Sequence, residues 1–385
     1  MDSFFSSNRK IGILGGGQLG KMLALKAAQW DFSLKVLDPS ADAPAAHVVK
    51  EFCPGDFRDF DTVMDFGKDC SVITIEIEDV NTDALLQLAS KGIKVYPQPG
   101  LVELFKNKQE QKKFYQKNQF PTAPFTICER ISDVMALNDS GKLSFPLVWK
   151  AAIGGYDGRG VIKLSSSGDL SKLPDIPCIL ESHIELKTEV AVIVHRNEIG
   201  ELVCQPLVEM SFHPEAHFVE MVFTPSHIDF GLQLKCINIA TELAEKLSLV
   251  GTLAIEFFIT ASDEVYINEA APRVHNSGHL TIEATPSSQF EQHLRAIAGL
   301  PLGASHLISP ACMINLTGAP GYIGPVKYEG ADEVLSIPNT WLHLYGKSVT
   351  RPHRKMGHIT TIDKTLELVL EKAVEIKKMI KVISQ

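Results

Sequence analysis

Two short apolar runs each carry a single acid where chemistry would want one. In Ala254-Ile255-Glu256-Phe257-Phe258-Ile259, alternation puts Ile255, Phe257 and Ile259 on one strand face and Glu256 on the other. Ile267-Asn268-Glu269-Ala270-Ala271-Pro272-Arg273 ends a second run with a second acid. A turn over residues 260–263 lets a hairpin bring Glu256 opposite Glu269. Buried like charges so placed repel, and a divalent cation removes that cost, hard Mg²⁺ taking carboxylates together with phosphate oxygens. A charged surface ladder is the plain alternative, and it fits poorly beside Phe257, Phe258 and Ile267.

Arg273-Val274-His275-Asn276-Ser277-Gly278-His279 follows at once, too polar for core, and reads as a site. Isolated His306 and His343 read as structural. Upstream, Val148-Trp149-Lys150 leads into Gly154-Gly155-Tyr156-Asp157-Gly158-Arg159-Gly160. Four glycines in seven positions cannot pack a core, and their backbone amides can fold over anionic oxygens. No G-K-[S/T] follows, so this is a nucleotide lid and not a P-loop, with Lys150 as a point charge beside the phosphates. A long hairpin turn is the bland reading. Gly15, Gly17 and Gly20 fit G-x-G-x-x-G between strand and helix, with Asp38 eighteen residues on. That pattern suits a dinucleotide site or simply a tight strand-to-helix turn. Lys347 and Arg351-Pro352-His353-Arg354-Lys355 form the densest basic cluster, either a solvated turn or the seat of an anionic substrate.

The elements that must hold these residues follow from the pattern of apolar runs. Strands at residues 10–14, 34–37, 72–77 and 94–96 alternate with helical segments, predicting a parallel α/β sheet over about residues 9 to 100. A polar Lys/Gln-rich helix covers residues 106–118. Strand-like runs at 147–150, 160–164 and 178–181 surround the lid. Runs at 190–194, 255–259 and 265–267 suggest an antiparallel sheet, with an amphipathic helix at 232–247. Short strands and a final helix over 365–383 close the chain.

The 385 residues suffice for two to three domains, and 45% hydrophobic with 22% charged residues is ordinary for a globular enzyme. No window approaches the roughly 18 consecutive apolar residues of a membrane helix, and residues 1–8 read as a loose polar tail without signal-peptide character. Lys and Arg total 37 against 46 Asp and Glu, a net charge of −9, which argues against nucleic-acid binding while allowing small anions held by local cations. Seven cysteines without a CxxC pair suggest reduced thiols in the cytoplasm and argue against zinc.

The order of GGGQLG, the lysine with GGYDGRG, the paired acids, INEAAPRVHNSGH and RPHRKMGH resembles the ATP-grasp superfamily and, within it, the N5-carboxyaminoimidazole ribonucleotide synthetase family. The resemblance runs from Lys10 to about Ile362. It implies a three-domain ATP-grasp fold of α/β and α+β character. A Rossmann-like pre-ATP-grasp domain would cover residues 1–107, the lid subdomain with its linker helix 108–185, and the catalytic domain with a small C-terminal subdomain 186–385. It implies ATP and Mg²⁺, bicarbonate and 5-aminoimidazole ribonucleotide (AIR) as substrates, and a homodimer. A transient contact with the mutase that would take the product is left open.

By position, the resemblance puts Lys108 and Lys150 on the ATP phosphates under Gly155, Tyr156, Asp157, Gly158, Arg159 and Gly160. Lys108 stands where many relatives carry Arg. Glu181, Ser182, His183 and Ile184 would hold adenine by the backbone, Glu189 the ribose hydroxyls, and His213 would also reach the nucleotide, although the spacing at Met210-Ser211-Phe212 departs from the family pattern. Glu256 and Glu269 would bind magnesium, with Asn268 beside them. Gln18, Leu19, Glu76 and Asn276 match ribonucleotide positions, Lys347, Arg354 and Lys355 suit its 5′-phosphate, and Tyr156, Asp157 and Arg159 would lie at the imidazole amine. Arg273 and Lys355 are expected to hold carboxyphosphate or the CO₂ released from it, and His275 to help move the amine proton. The nearest rival is a formate-using glycinamide ribonucleotide transformylase. An NAD-dependent oxidoreductase would explain only GGGQLG and Asp38, and a non-catalytic nucleotide sensor would have no use for both carboxylates and Lys150.

Overall fold

The computed structural model describes residues 5, 9–154, 160–213 and 218–385. Among the described residues, four sheets carry the fold. The first is five-stranded and wholly parallel, in the order Glu51–Pro54, Ser33–Asp38, Lys10–Leu14, Val72–Ile75, Lys94–Val95. Its inner strands are buried on both faces, as crossover helices require. The pattern of apolar runs predicts four of these strands. The fifth, Glu51–Pro54, escapes it because an edge strand of Glu, Phe, Cys and Pro offers no apolar run.

Asn107 caps the helix Lys108–Lys117 by accepting from the Gln109 amide at 2.8 Å, which sets Lys108 on the first turn. A four-stranded antiparallel sheet follows, ordered Phe125–Cys128, Cys178–Ser182, Leu147–Ala151, Val161–Leu164. The largest sheet has nine strands. Leu186–Arg196 lies between Gly251–Thr260 and Val208–Phe212, and Val265–Ala271 forms an edge beyond Gly251–Thr260. Alternation sorts its two faces. Val190, Val192, Val194, Ile255, Phe257 and Ile259 enter a core under the helix Phe230–Lys246, through Cys236, Ala240, Leu243 and Ala244. Glu189 and Glu256 are left on the opposite face.

The same sheet runs on through Val219–Thr224, Ala311–Thr317, Lys355–Ile362 and Thr340–Leu344. The final helix is shorter than predicted. It spans Leu366–Met379, and Lys381–Ser384 pairs instead with Gly324–Glu329. Val382 and Ile383 are β-branched and favour the extended state, and Gly330 (φ +80°) lets the neighbouring backbone approach so closely that a Cβ there would lie 1.9 Å from the Met379 carbonyl oxygen.

A buried polar chain ties the parallel sheet to the large one. Thr74 Oγ1 lies 2.8 Å from His293 Nε2, while His293 Nδ1 and His195 Nδ1 share Thr252 Oγ1 at 3.1 and 2.9 Å. One hydroxyl can serve both rings because it has one proton to give and two lone pairs. Burial holds both imidazoles neutral, His195 down to about 3 and His293 to about 4. Thr252→Val keeps the shape and strands two buried ring nitrogens. It is expected to lower stability by about 1–3 kcal/mol, read as a lower denaturant midpoint; an unchanged midpoint would show that the hydroxyl holds nothing together.

Candidate functional site

Glu256 and Glu269 are direct cross-strand partners. The next pair is Phe257 with Ile267, so the register slips and Asn268 is the extra residue of a bulge. Strict alternation would turn Asn268 and Glu269 to opposite faces, and a bulge re-aims side chains. Here Asn268 Oδ1 accepts from Lys150 Nζ at 2.8 Å, while Glu269 forms an ion pair with Lys108. Glu189 pairs with Phe258 two positions along, on the face that carries Glu256.

Three carboxylates thus crowd one face. Burial pushes Glu189 up to about 7. Burial, then the charges of Glu269 and Glu189, push Glu256 well above the carboxylate range. Glu269 moves the other way, because the Lys108 ammonium beside it favours the ion. Glu269 therefore keeps the negative charge and Glu256 tends to keep a proton.

Behind them lies a buried triad. Glu181 meets Lys150 Nζ at 2.7 Å and Lys112 Nζ at 2.6 Å. Burial opposes the Glu181 carboxylate, but Lys150 and Lys112 prevail and hold it below its usual range. Burial in turn brings Lys112 down to about 8. Sequence reasoning missed Lys112, because a helix rich in Lys and Gln reads as solvated; only the later fold buries it. Ser182 N–H already donates to Pro124 at 2.9 Å and His183 N–H to Pro146 at 3.4 Å. His183 and Ile184 line a groove of about 500 Å³ with residues 260–262 and Tyr266.

Arg273 Nε reaches Glu78 Oε1 at 2.9 Å. Burial works against the guanidinium, but Glu78 and then Glu76 raise its pKa above the ordinary arginine value. Glu78, another residue the sequence reading passed over, stands next but one to Glu76 in an acid-rich loop. His275 Nδ1 lies 2.9 Å from Ser277 Oγ and its Nε2 lies 3.7 Å from Glu256 Oε1. The Asn276 side-chain oxygen is buried and has no hydrogen-bond partner among the described residues.

The C-terminal cations reach the N-terminal loop. Lys347 Nζ donates to Gln18 Oε1 at 2.9 Å and to the Lys355 carbonyl at 2.8 Å. Lys355 in turn acts electrostatically on Glu256. Arg354 instead donates to Val349 O of its own turn at 2.5 Å. Leu19 is buried in the core, so its side chain is not offered to a ligand.

The glycine loop does not bear out the dinucleotide reading. Gly16 N–H donates to Asp38 Oδ2 at 2.8 Å and Gly17 N–H to Glu76 Oε2 at 2.9 Å. A Cβ at Gly17 would lie 2.5 Å from Glu76 Oε1, and one at Gly15 (φ +102°) 2.6 Å from Oε2. The turn wraps its own acids, and Asp38 is spent on it. His213 stacks on Phe218, whose ring lies 5.6 Å from His353. These rings line a cavity of about 530 Å³ with Asn315, Lys377 and Lys381, toward the C-terminal strands. Gly155, Tyr156, Asp157, Gly158 and Arg159 lie outside the described residues; Gly160 accepts from the Ala151 amide at 2.9 Å.

Paired carboxylates on a large antiparallel sheet, with lysines brought from a smaller sheet and a linker helix, define an ATP-grasp protein. The ATP-grasp domain model matches residues 113–290, the ribonucleotide synthetase preATP-grasp domain model residues 8–106, and the phosphoribosylaminoimidazole carboxylase C-terminal domain model residues 311–372. The chain belongs to the N5-carboxyaminoimidazole ribonucleotide synthase family. It is 37% identical to the N5-carboxyaminoimidazole ribonucleotide synthase of Bacillus subtilis, over 91% of this chain and 90% of that protein. The crystal structure of the Thermotoga maritima synthetase is similar with a TM-score of 0.90 and 40% identity, covering 98% of this chain and 100% of that one. The Aspergillus clavatus synthase, solved with ADP and 5-aminoimidazole ribonucleotide, matches with a TM-score of 0.88 and 30% identity, over 97% of this chain and 98% of that one.

A carboxylate whose pKa is raised on folding binds a proton that the unfolded chain releases. Stability therefore falls as pH rises from the ordinary carboxylate range toward the raised value. Glu256→Gln removes that titration. In chelator, the variant is expected to melt above the parent at about pH 8 and to converge on it toward about pH 5. A Tm difference independent of pH would mean that Glu256 is ionised throughout.

Proposed function

We propose that this chain carboxylates AIR with ATP and bicarbonate, giving N5-carboxyaminoimidazole ribonucleotide, ADP and phosphate, as a ligase of purine biosynthesis. The in-register pairing of Glu256 with Glu269, between Lys108, Lys150 and His275, carries the reading. A bicarbonate oxygen attacks the γ-phosphorus, the bond to the β,γ-bridging oxygen breaks, and ADP leaves with that electron pair. The AIR amine then attacks the carboxyl carbon of the resulting carboxyphosphate, directly or as released CO₂, phosphate departs, and the amine loses one proton.

Catalysis of this kind is positioning and charge neutralisation. Lys108 and Lys150 set two ammoniums against the phosphates. Arg273 and Lys355 hold the carboxylated intermediate, and His275, beside Glu256, receives the amine proton. Gln18, Glu76 and Asn276 orient the ribonucleotide, with Lys347, Lys355 and Arg354 toward its phosphate. The 154–160 loop has the task of excluding water, which destroys carboxyphosphate. The donor set at Glu256, Asn268 and Glu269 is all oxygen and suits Mg²⁺. Glu256 and Glu269 would hold the ion, which when bound neutralises charge across the phosphate oxygens. We also read the chain as a cytoplasmic homodimer; its seven free cysteines suit a reducing compartment. Light scattering decides the dimer. Among the described residues, no helix is long and apolar enough to cross a membrane.

ADP release with Mg²⁺-ATP and bicarbonate should rise strongly on adding AIR, with acid-labile fixed carbon in the product. No stimulation in a protein that still binds ATP, or ADP release driven by formate, would overturn the assignment. Arg273→Ala should abolish or uncouple carboxylation while leaving the KM for ATP within about twofold; unchanged product formation would remove Arg273 from the site.

A further inference from the structure

The turn that carries Arg273 and His275 contains only the single helical turn Asn276–Gly278 as regular structure. What grips it is Gln289, the wholly buried first residue of the helix Gln289–Ile297. Its Oε1 accepts from the His275 N–H at 2.8 Å, and its Nε2 donates to the His275 carbonyl at 2.7 Å. One primary amide thereby satisfies both main-chain groups of His275, as a neighbouring strand would. The same Nε2 lies 3.3 Å from His279 Nδ1.

Two further observations show that the contact is built in. A Cβ at Gly278 would lie 2.6 Å from Gln289 Cδ and 2.3 Å from Ile193 Cδ1, so this close approach needs glycine. Thr281 Oγ1 accepts from the main-chain N–H of Gln289 at 2.9 Å and donates to the Gly278 carbonyl at 2.5 Å, closing the loop from the other side. The helix behind is itself fixed, since Phe290, Leu294 and Ile297 share a core with Ile11, Ile13 and Val274.

We propose that Gln289 is a positioning residue that fixes the His275 main chain and so holds the imidazole at Glu256 for the carboxylation step. This rests on the reading that His275 takes the amine proton. Gln289 touches no substrate and acts only through His275.

Gln289→Met keeps the volume and loses both hydrogen bonds. It should lower the kcat for fixed carbon by about tenfold or more, with the KM for ATP and for AIR within about twofold, and raise the ratio of ADP released to carbon fixed. Gln289→Glu supplies a second readout. Its protonated carboxyl repeats the donor and acceptor of the amide, whereas the ionised form sets an acceptor against the His275 carbonyl. His275 and His279 are the titratable groups facing this position, with Glu256 and Lys355 beyond them. Dividing the variant's profile by the parent's removes the titration common to both, and this ratio should be highest at acid pH and fall as pH rises. If the methionine variant does not fold, that ratio decides alone. A flat ratio, or parental turnover and coupling in both variants, overturns the proposal. When His275→Asn is inactive alongside those results, the role of His275 stands without Gln289. Full carboxylation by His275→Asn overturns both.

Discussion

Three carboxylates on one sheet face set the terms for everything around them. Glu189, Glu256 and Glu269 are half-buried and crowd one another, so cations are needed to offset the repulsion when they ionise. The cations come from separate parts of the fold: Lys108 from the helix Lys108–Lys117, Lys150 from the four-stranded sheet, Lys355 from the first position of the strand Lys355–Ile362. Elements distant in sequence converge because each brings charge to one place. The bulge at Asn268 lets a single strand present two consecutive polar side chains to that place.

A site assembled from several sheets needs those sheets held in register with one another. Apolar packing does part of this, since one core joins the parallel sheet to Val274, Tyr345 and the helix Gln289–Ile297. Directional polar contacts do the rest. Glu198 takes Lys94 at 2.5 Å and also accepts from the Tyr96 hydroxyl. Arg273 reaches back to Glu78, and Lys347 reaches across to Gln18. Hydrophobic contact tolerates sliding, whereas hydrogen bonds do not, so these pairs fix angles that the core alone would leave loose.

Much of this was legible in the sequence wherever a signal was local. Alternation around Glu256 foretold a strand, and the short gap to Glu269 foretold the hairpin. Family resemblance identified the ATP-grasp architecture. What stayed hidden depends on long-range burial. Lys112 and Glu78 look like solvated charge until Glu181 and Arg273 come to meet them. Gln289 sits at an unremarkable helix start, and nothing nearby marks it as the partner of His275, fourteen residues earlier. The bulge is equally silent, because a one-residue slip leaves the apolar pattern almost unchanged. The last strand reads as helix because its β-branched residues follow a long helical pattern without a break.

The self-occupied glycine turn bears on how the chain lives among metabolites. Asp38 and Glu76 are tethered to the amides they bind, so their effective concentration there far exceeds that of any free anion. A circulating dinucleotide would have to evict two built-in competitors and then meet their negative charge. The N-terminal domain can thus keep the outline of a nucleotide fold while the amides of its glycine turn are already taken by its own acids.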